Sequence, residues 1–336
     1  TEPFEAGTYT CSNDLLGAST EGNPVCEYSD SNGLSQPEIV DLDGNGSIDR
    51  VYAGDLHGNM WVFDITANAP NNWKLHNDDS KPLFTACATA LNGNVCAYDQ
   101  RQPITAKPLV RNNPIRNNDS TEPNKLVFFG AGQYLTNSDP SSSVEQSFYT
   151  VWDAGAVSSG LSKENLTIQY IDNSEDYETR TMRISTVSYN TSNTAGFGWY
   201  YENLPGGGLE NSGAERVILR PLLFANILFF QTLIPNPGLC NVNAGSGYIM
   251  AVDPLTGGNP PIDVFNQGGD ANVAGVKVGD FLLGSNVTVS DEGIEVTTKT
   301  TGNENITTTI SSGSSGSTDE GQLFKNKGRK SWSILR

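Results

Sequence analysis

Positive charge is scarce in this chain. Its 20 Lys and Arg face 38 Asp and Glu over 336 residues, a net charge of −18. Nucleic-acid binding needs a basic face, so it is excluded as a function. Histidine is rarer still. His57 and His76 are the only two, which leaves little material for a general base or a zinc site, and no CxxC occurs. His57, beside Gly58 in a blade turn, and His76, in the polar run 71–80, both read as solvent-facing. Long apolar runs are missing as well. The most apolar stretch, 217–234, is broken by Arg220, Pro221, Asn226 and Gln231, well short of the roughly 18 uninterrupted apolar residues of a membrane span. No helical periodicity persists beyond about two turns, and no Gly-x-Ser-x-Gly elbow marks a hydrolase. The sequence opens on Thr1-Glu2-Pro3 without an initiator Met or signal peptide, as expected of a processed or truncated product.

What is present is acidic, Gly-rich and β-branched, and it is organised around 41–49, Asp-Leu-Asp-Gly-Asn-Gly-Ser-Ile-Asp. Side-chain oxygens recur at Asp41, Asp43, Asn45 and Asp49, and Ser47 can add its backbone carbonyl. Gly44 and Gly46 allow the turn that makes these oxygens converge. Hard oxygen donors at alternate positions suit Ca²⁺, which takes about six to eight of them in a flexible shell, better than Mg²⁺, which demands a rigid octahedron. The loop departs from an EF-hand, because position 12 is Tyr52 instead of Glu. Its flanks read as short strands, so it is expected to clip a β-hairpin. The plain alternative is a metal-free Asx/Gly turn.

Five cysteines are present. The spacings 87/96 and 11/26 predict two short disulfide loops and an oxidising compartment, leaving Cys240 over. Residues 1–35 read as an irregular, Cys-containing lead-in. From residue 36 onward a pattern recurs three times. A Pro opens a short apolar strand (37–40, 108–110, 221–224), a second strand follows (50–54, 126–130, 227–230), and a third ends in Asp64, Asp153 or Asp253 (58–64, 147–153, 247–253). Fourth strands are predicted at 83–86, 198–201 and 331–335. Four-stranded repeats with Gly-rich turns read as blades of a β-propeller. Propellers close with roughly four to eight blades, so the chain is expected to hold only part of the set, or a degenerate blade besides. Long polar insertions are placed at 156–195, with one strand-like run at 181–187, and at 265–322, where 311–318 reads as linker. Trp61, Trp152, Phe148 and Tyr248 are expected to pack between blades. The strand-end Asp residues are expected to cap turns.

Several segments together resemble the C-terminal domain of the PilY/PilC family of type IV pilus tip adhesins and biogenesis factors. They are PEIVDLDGNGSIDRVYAGDLHGNMWVFD (37–64), RQPITAKP (101–108), VFFGAGQYL (127–135), QSFYTVWD (146–153), ERVILRPLLFANILFFQTLIPNPGLC (215–240), 245–257 and GRKSW (328–332). They occur in order over most of 36–336. The resemblance implies an all-β, modified quinoprotein-like β-propeller with a projecting Ca²⁺ loop whose ligands fall on Asp41, Asp43, Asn45, Ser47 and Asp49. It further implies that Ca²⁺ occupancy regulates pilus extension against retraction, and with it surface or host-cell adhesion. Minor pilins at the pilus tip are the implied partners, with a host-cell or surface receptor contacted through loops. The implied location is extracellular, at the pilus tip or outer-membrane surface of a Gram-negative bacterium, after export through the periplasm. No Arg-Gly-Asp occurs, so integrin binding is not expected. A second reading is a surface adhesin whose Ca²⁺ is purely structural, with recognition in the insertions. A quinoprotein dehydrogenase ranks lower, because its Ca²⁺ is held by acids scattered through the fold, and no catalytic residues are assigned.

Overall fold

The computed structural model describes residues 32–310 apart from 76–80, 94, 117–122, 156–157, 206–213, 237–244, 266–272, 280–281, 291–292 and 301–304. Cys11, Cys26, Cys240, His76, the 311–318 linker and the strand expected at 331–335 lie outside the described residues. Everything below concerns the unit that starts at Leu34.

The first blade consists of β1 (Glu38–Val40), β2 (Arg50–Gly54) and β3 (Asn59–Asp64), with β4 (Lys74–Leu75) and β5 (Phe84–Thr85) both pairing with β3. The second consists of β6 (Leu109–Asn112), β7 (Lys125–Gly130), β8 (Phe148–Asp153) and, after an insertion, β11 (Gly198–Tyr201). The insertion itself supplies β9 (Thr167–Asn173) and β10 (Thr179–Arg183). The third blade consists of β12 (Leu222–Phe224), β13 (Ile227–Gln231), β15 (Gly245–Val252) and β16 (Gly275–Val278), with β14 (Ile234–Pro235) also on β15. A separate three-stranded antiparallel sheet follows: β17 (Leu282–Ser290), β18 (Gly293–Thr300) and β19 (Asn305–Ile310).

The apolar pattern of each strand follows from what covers it. β7 (KLVFFG), β8 (FYTVWD) and β13 (ILFFQ) are buried at every position, so both faces must be apolar. β3 alternates instead: Met60 and Val62 are buried while Trp61 and Phe63 are half-buried, the period-two signature of a strand covered more fully on one face. Aromatic contacts close the seams between blades. Phe84 meets Tyr149 at 4.9 Å between the first and second, and Phe148 stacks on Phe230 at 4.2 Å between the second and third. One carboxylate ties all three: Glu38 Oε2 lies 2.9 Å from both Lys107 Nζ and an Arg220 guanidinium nitrogen.

Several placements differ from the sequence-based expectations. The strand expected at 181–187 begins at Thr179 and ends at Arg183, and it pairs with a further strand, β9, inside the stretch read as polar insertion. Together these strands form a bridge, β9 running parallel to β11 and β10 antiparallel to β16, so the second and third blades share one 11-stranded sheet. The fourth-strand place in the third blade is taken by β16, which lies inside the stretch read as the 265–322 insertion. Trp61 stays half-buried, and its indole N–H donates to Asp55 Oδ2 at 2.7 Å within its own blade. Phe148, Trp152 and Tyr248 are all buried. Phe148 packs between blades as expected, on Phe230, whereas Trp152 meets Tyr189 and Phe197 of its own blade and Tyr248 meets Arg180 of the bridging hairpin.

The expected Cys87–Cys96 disulfide is present, with Cα atoms 5.7 Å apart across a sequence separation of 9. Closing a loop of this size removes unfolded-state entropy worth about 2–3 kcal/mol. A Cys87→Ala/Cys96→Ala chain is expected to unfold about 3–5 °C lower in a thermal scan. An unchanged midpoint would show that the loop is held by its other contacts alone.

Candidate metal centre

The loop 41–49 joins β1 to β2, whose register pairs Val40 with Arg50 at its foot. Gly44 and Gly46 have φ of 76° and 89°, the left-handed region that L side chains rarely adopt. No Cβ clash would arise at either position, so conformation, not space, calls for glycine there.

The turn is held by its own acids. Asp41 accepts the N–H of Gly44 through Oδ1 and of Gly46 through Oδ2, both at 2.7 Å. Asp43 Oδ1 accepts the Asn45 N–H at 3.0 Å, and Asn45 Oδ1 accepts the Ser47 N–H at 2.7 Å. Asp49 reaches back across the loop to accept the Leu42 N–H at 2.6 Å. Each of Asp41, Asp43 and Asp49 offers a carboxylate oxygen within 4.8 Å of the other two. Asp49 is buried, Asp41 half-buried and Asp43 exposed, so the cluster opens to solvent on one side. Asn45 and Ser47 lie on the exposed rim of the same loop.

The Gly46 N–H, aided by that of Gly44 against a desolvation cost, holds the Asp41 carboxyl below its ordinary value of 3.8. The contribution of Asp41 is therefore present above the unfolded carboxylate pKa and is lost as pH falls through the lower folded one. Three gathered carboxylates repel one another unless a cation or protons intervene. The donor set is all oxygen, on a Gly-turned loop open on one side, and it fits a hard divalent cation.

Other sequence-singled residues are placed as follows. Asp64 accepts the Thr66 N–H and hydroxyl, and Asp253 accepts the N–H groups of Leu255 and Thr256, so both cap turns. Asp153 caps Gly155 as well, but it is fully buried and accepts from Arg50 Nη1 at 3.2 Å and the Tyr52 hydroxyl at 2.8 Å across the seam. His57 is half-buried, not solvent-facing, and its backbone N–H donates to Asp55 Oδ1 at 2.9 Å. Asp55 itself went unremarked in the sequence. Only 1% exposed, it also accepts from the Asn59 backbone and side chain and from Trp61, and so fixes the β2–β3 turn.

The β-propeller architecture agrees with what the chain is similar to. The profile of the PilY1 β-propeller domain matches residues 24–185. The chain carries a PilY1-type β-propeller domain. Among curated relatives, a type IV pilus biogenesis factor PilY1 homolog of Xylella fastidiosa (strain Temecula1) is 27% identical over 266 residues, 77% of this chain and 17% of the relative. Another homolog from the same strain is 32% identical over 247 residues, 73% of this chain and 18% of the relative. The type IV pilus biogenesis factor PilY1 of Pseudomonas aeruginosa (strain PAO1) is 29% identical over 267 residues, 70% and 21% respectively. The chain thus spans about a fifth of the length of these relatives. The crystal structure of the Pseudomonas aeruginosa PilY1 C-terminal domain shares the fold, with a TM-score of 0.61 at 24% identity over 83% of this chain and 60% of that one. The acidic loop lies on the first described blade, between β1 and β2.

Proposed function

We propose that this chain is part of a type IV pilus biogenesis factor and tip adhesin in which Ca²⁺ at loop 41–49 governs extension against retraction. Homology to PilY1 supports the pilus role. The observation that carries the calcium reading is the convergence of Asp41, Asp43 and Asp49 within 4.8 Å on a Gly-turned loop. These three carboxylates would hold the ion, with the Asn45 side chain and the Ser47 carbonyl completing the shell. Bound Ca²⁺ would supply charge neutralisation. Asp49, anchored at the foot of β2, would then be held against Asp41 and Asp43, and the hairpin would take one ordered shape suited to docking against minor pilins. The protein would act outside the cell, at the pilus tip or outer-membrane surface of a Gram-negative bacterium, and as a binding protein, not an enzyme.

The test is made in a piliated bacterium carrying the full-length protein. Asp49→Ala is expected to reduce surface pili and twitching to the level that calcium chelation produces in the wild type, with no further response to chelation. Wild-type piliation in Asp49→Ala cells would sink the switch. If calcium were only structural and recognition lay in the insertions, removing the separate sheet 282–310 would instead abolish attachment and leave piliation intact. That deletion spares β16, which the third blade needs.

A further inference from the structure

We propose that Arg50, Tyr52 and Asp153 are positioning residues that set the calcium affinity of loop 41–49, so that loop occupancy and the packing of the first blade on the second are linked. The inference rests on the calcium reading above and adds to it the route by which the loop is felt by the rest of the domain.

Asp49 is pinned at the foot of β2 from two directions. Its N–H donates to the Val40 carbonyl at 2.9 Å, and its own carbonyl accepts the Ile65 N–H at 2.8 Å. Its carboxylate turns to the loop and accepts the Leu42 N–H. The next side chain along an extended backbone points the opposite way, and Arg50 does so, entering the seam between the blades. There its Nη1 meets Asp153 Oδ2, which also accepts the Tyr52 hydroxyl. The other oxygen of Asp153 is held by the Gly155 N–H at 3.1 Å and the Ser158 hydroxyl at 3.2 Å, so the anchor belongs to the second blade. Residues 49 to 52 therefore form a short rigid segment with a calcium ligand at one end and a seam anchor at the other.

Two consequences follow. Loosening the anchor lets Asp49 drift, and a calcium site that must gather several ligands at once loses affinity. Coupling between two equilibria is also reciprocal: if the seam tightens calcium binding, calcium tightens the seam by the same factor. Ordering a small exposed loop would then be transmitted to a blade interface, a contiguous physical route.

The test is calorimetric Ca²⁺ titration of chelator-stripped wild type, Asp49→Ala, Tyr52→Phe and the double variant Arg50→Met/Asp153→Leu. Replacing both partners of a buried ion pair by apolar side chains of similar size is commonly tolerated, and this pair change leaves the net charge unaltered. Simple charge effects thus predict an unchanged Kd. The positioning role predicts a Kd raised about tenfold in the double variant, which corresponds to ~1.4 kcal/mol. It predicts a smaller rise, about threefold, in Tyr52→Phe, which removes a single hydroxyl. The thermal shift at one fixed calcium concentration should shrink in parallel. A Kd within twofold of wild type in Tyr52→Phe and in any folded double variant overturns the proposal, even if stability falls. If wild type binds and Asp49→Ala does not, that failure touches only the seam linkage; a wild type that takes up no calcium overturns the calcium reading with it.

Discussion

Glu215→Ala is expected to lower the unfolding free energy by about 3–5 kcal/mol, the cost of leaving a buried charge without its partner. Glu215 and Arg180 meet in a two-pronged pair, Nη1–Oε1 at 2.6 Å and Nη2–Oε2 at 2.8 Å, with neither side chain exposed. The guanidinium lies 3.3 Å from the centre of the Tyr248 ring, and its Nε donates to Asn173 at 2.8 Å. Arg180 belongs to β10 and Tyr248 to β15, so the pair fastens the bridging hairpin to the third blade. Domains of this size have about 5–15 kcal/mol in total, so the variant should be obtained in poor yield or melt about 5–8 °C lower. Glu215→Gln keeps a hydrogen bond to the guanidinium and should lose less. The double change Arg180→Met/Glu215→Leu, which removes both charges, should recover most of the loss. Chemical denaturation of the three variants decides it. A Glu215→Ala chain within 1 kcal/mol of wild type would mean that water reaches the guanidinium once the carboxylate is gone.

Asp153→Ala is expected to cost about 2–4 kcal/mol. The carboxylate is fully buried and accepts from Arg50, Tyr52, Gly155 and Ser158. Its loss strands a guanidinium and a phenol in the seam. The figure sits below that for Glu215 because the Arg50 side chain keeps 11% exposure and can reach water. Burial first, and the Asp153 charge second, push the Tyr52 hydroxyl well above its ordinary value, so it remains a donor wherever the domain is folded. Denaturant melts of Asp153→Ala and Asp153→Asn measure the effect. A loss in Asp153→Ala no larger than a surface substitution gives, within about 0.5 kcal/mol, would contradict the seam described here.

The parts legible in the sequence are those where local chemistry and final structure agree. Strands β7, β8 and β13 announce themselves as apolar runs because both of their faces are covered, and β11 as a Gly-Trp-Tyr-Tyr run. The loop 41–49 was legible because all its donors are local and their spacing alone brings three carboxylates together. The bridging hairpin was only half legible. β9 mixes Thr, Gln and Asp with Ile and Tyr, and the hairpin it forms with β10 is placed by partners in two different blades, β11 and β16. The Thr-rich strands β17 to β19 read as polar insertion, although β-branched Thr suits a strand well. From its neighbours in sequence Asp153 reads as a turn cap like Asp64 and Asp253. Its second role comes from Arg50, 103 positions away, and no local pattern carries that. Asp55 likewise looks like any turn residue until Trp61 and Asn59 fold over it.

The central claim is that loop 41–49 is a calcium site, and calorimetric titration of the chelator-stripped wild-type chain beside Asp49→Ala tests it most directly. The account predicts one-site binding in the wild type and none in Asp49→Ala. It also predicts stabilisation of about 2.7 kcal/mol for the wild type at a calcium concentration 100 times Kd. Equal binding in both chains, or none in either, would contradict it.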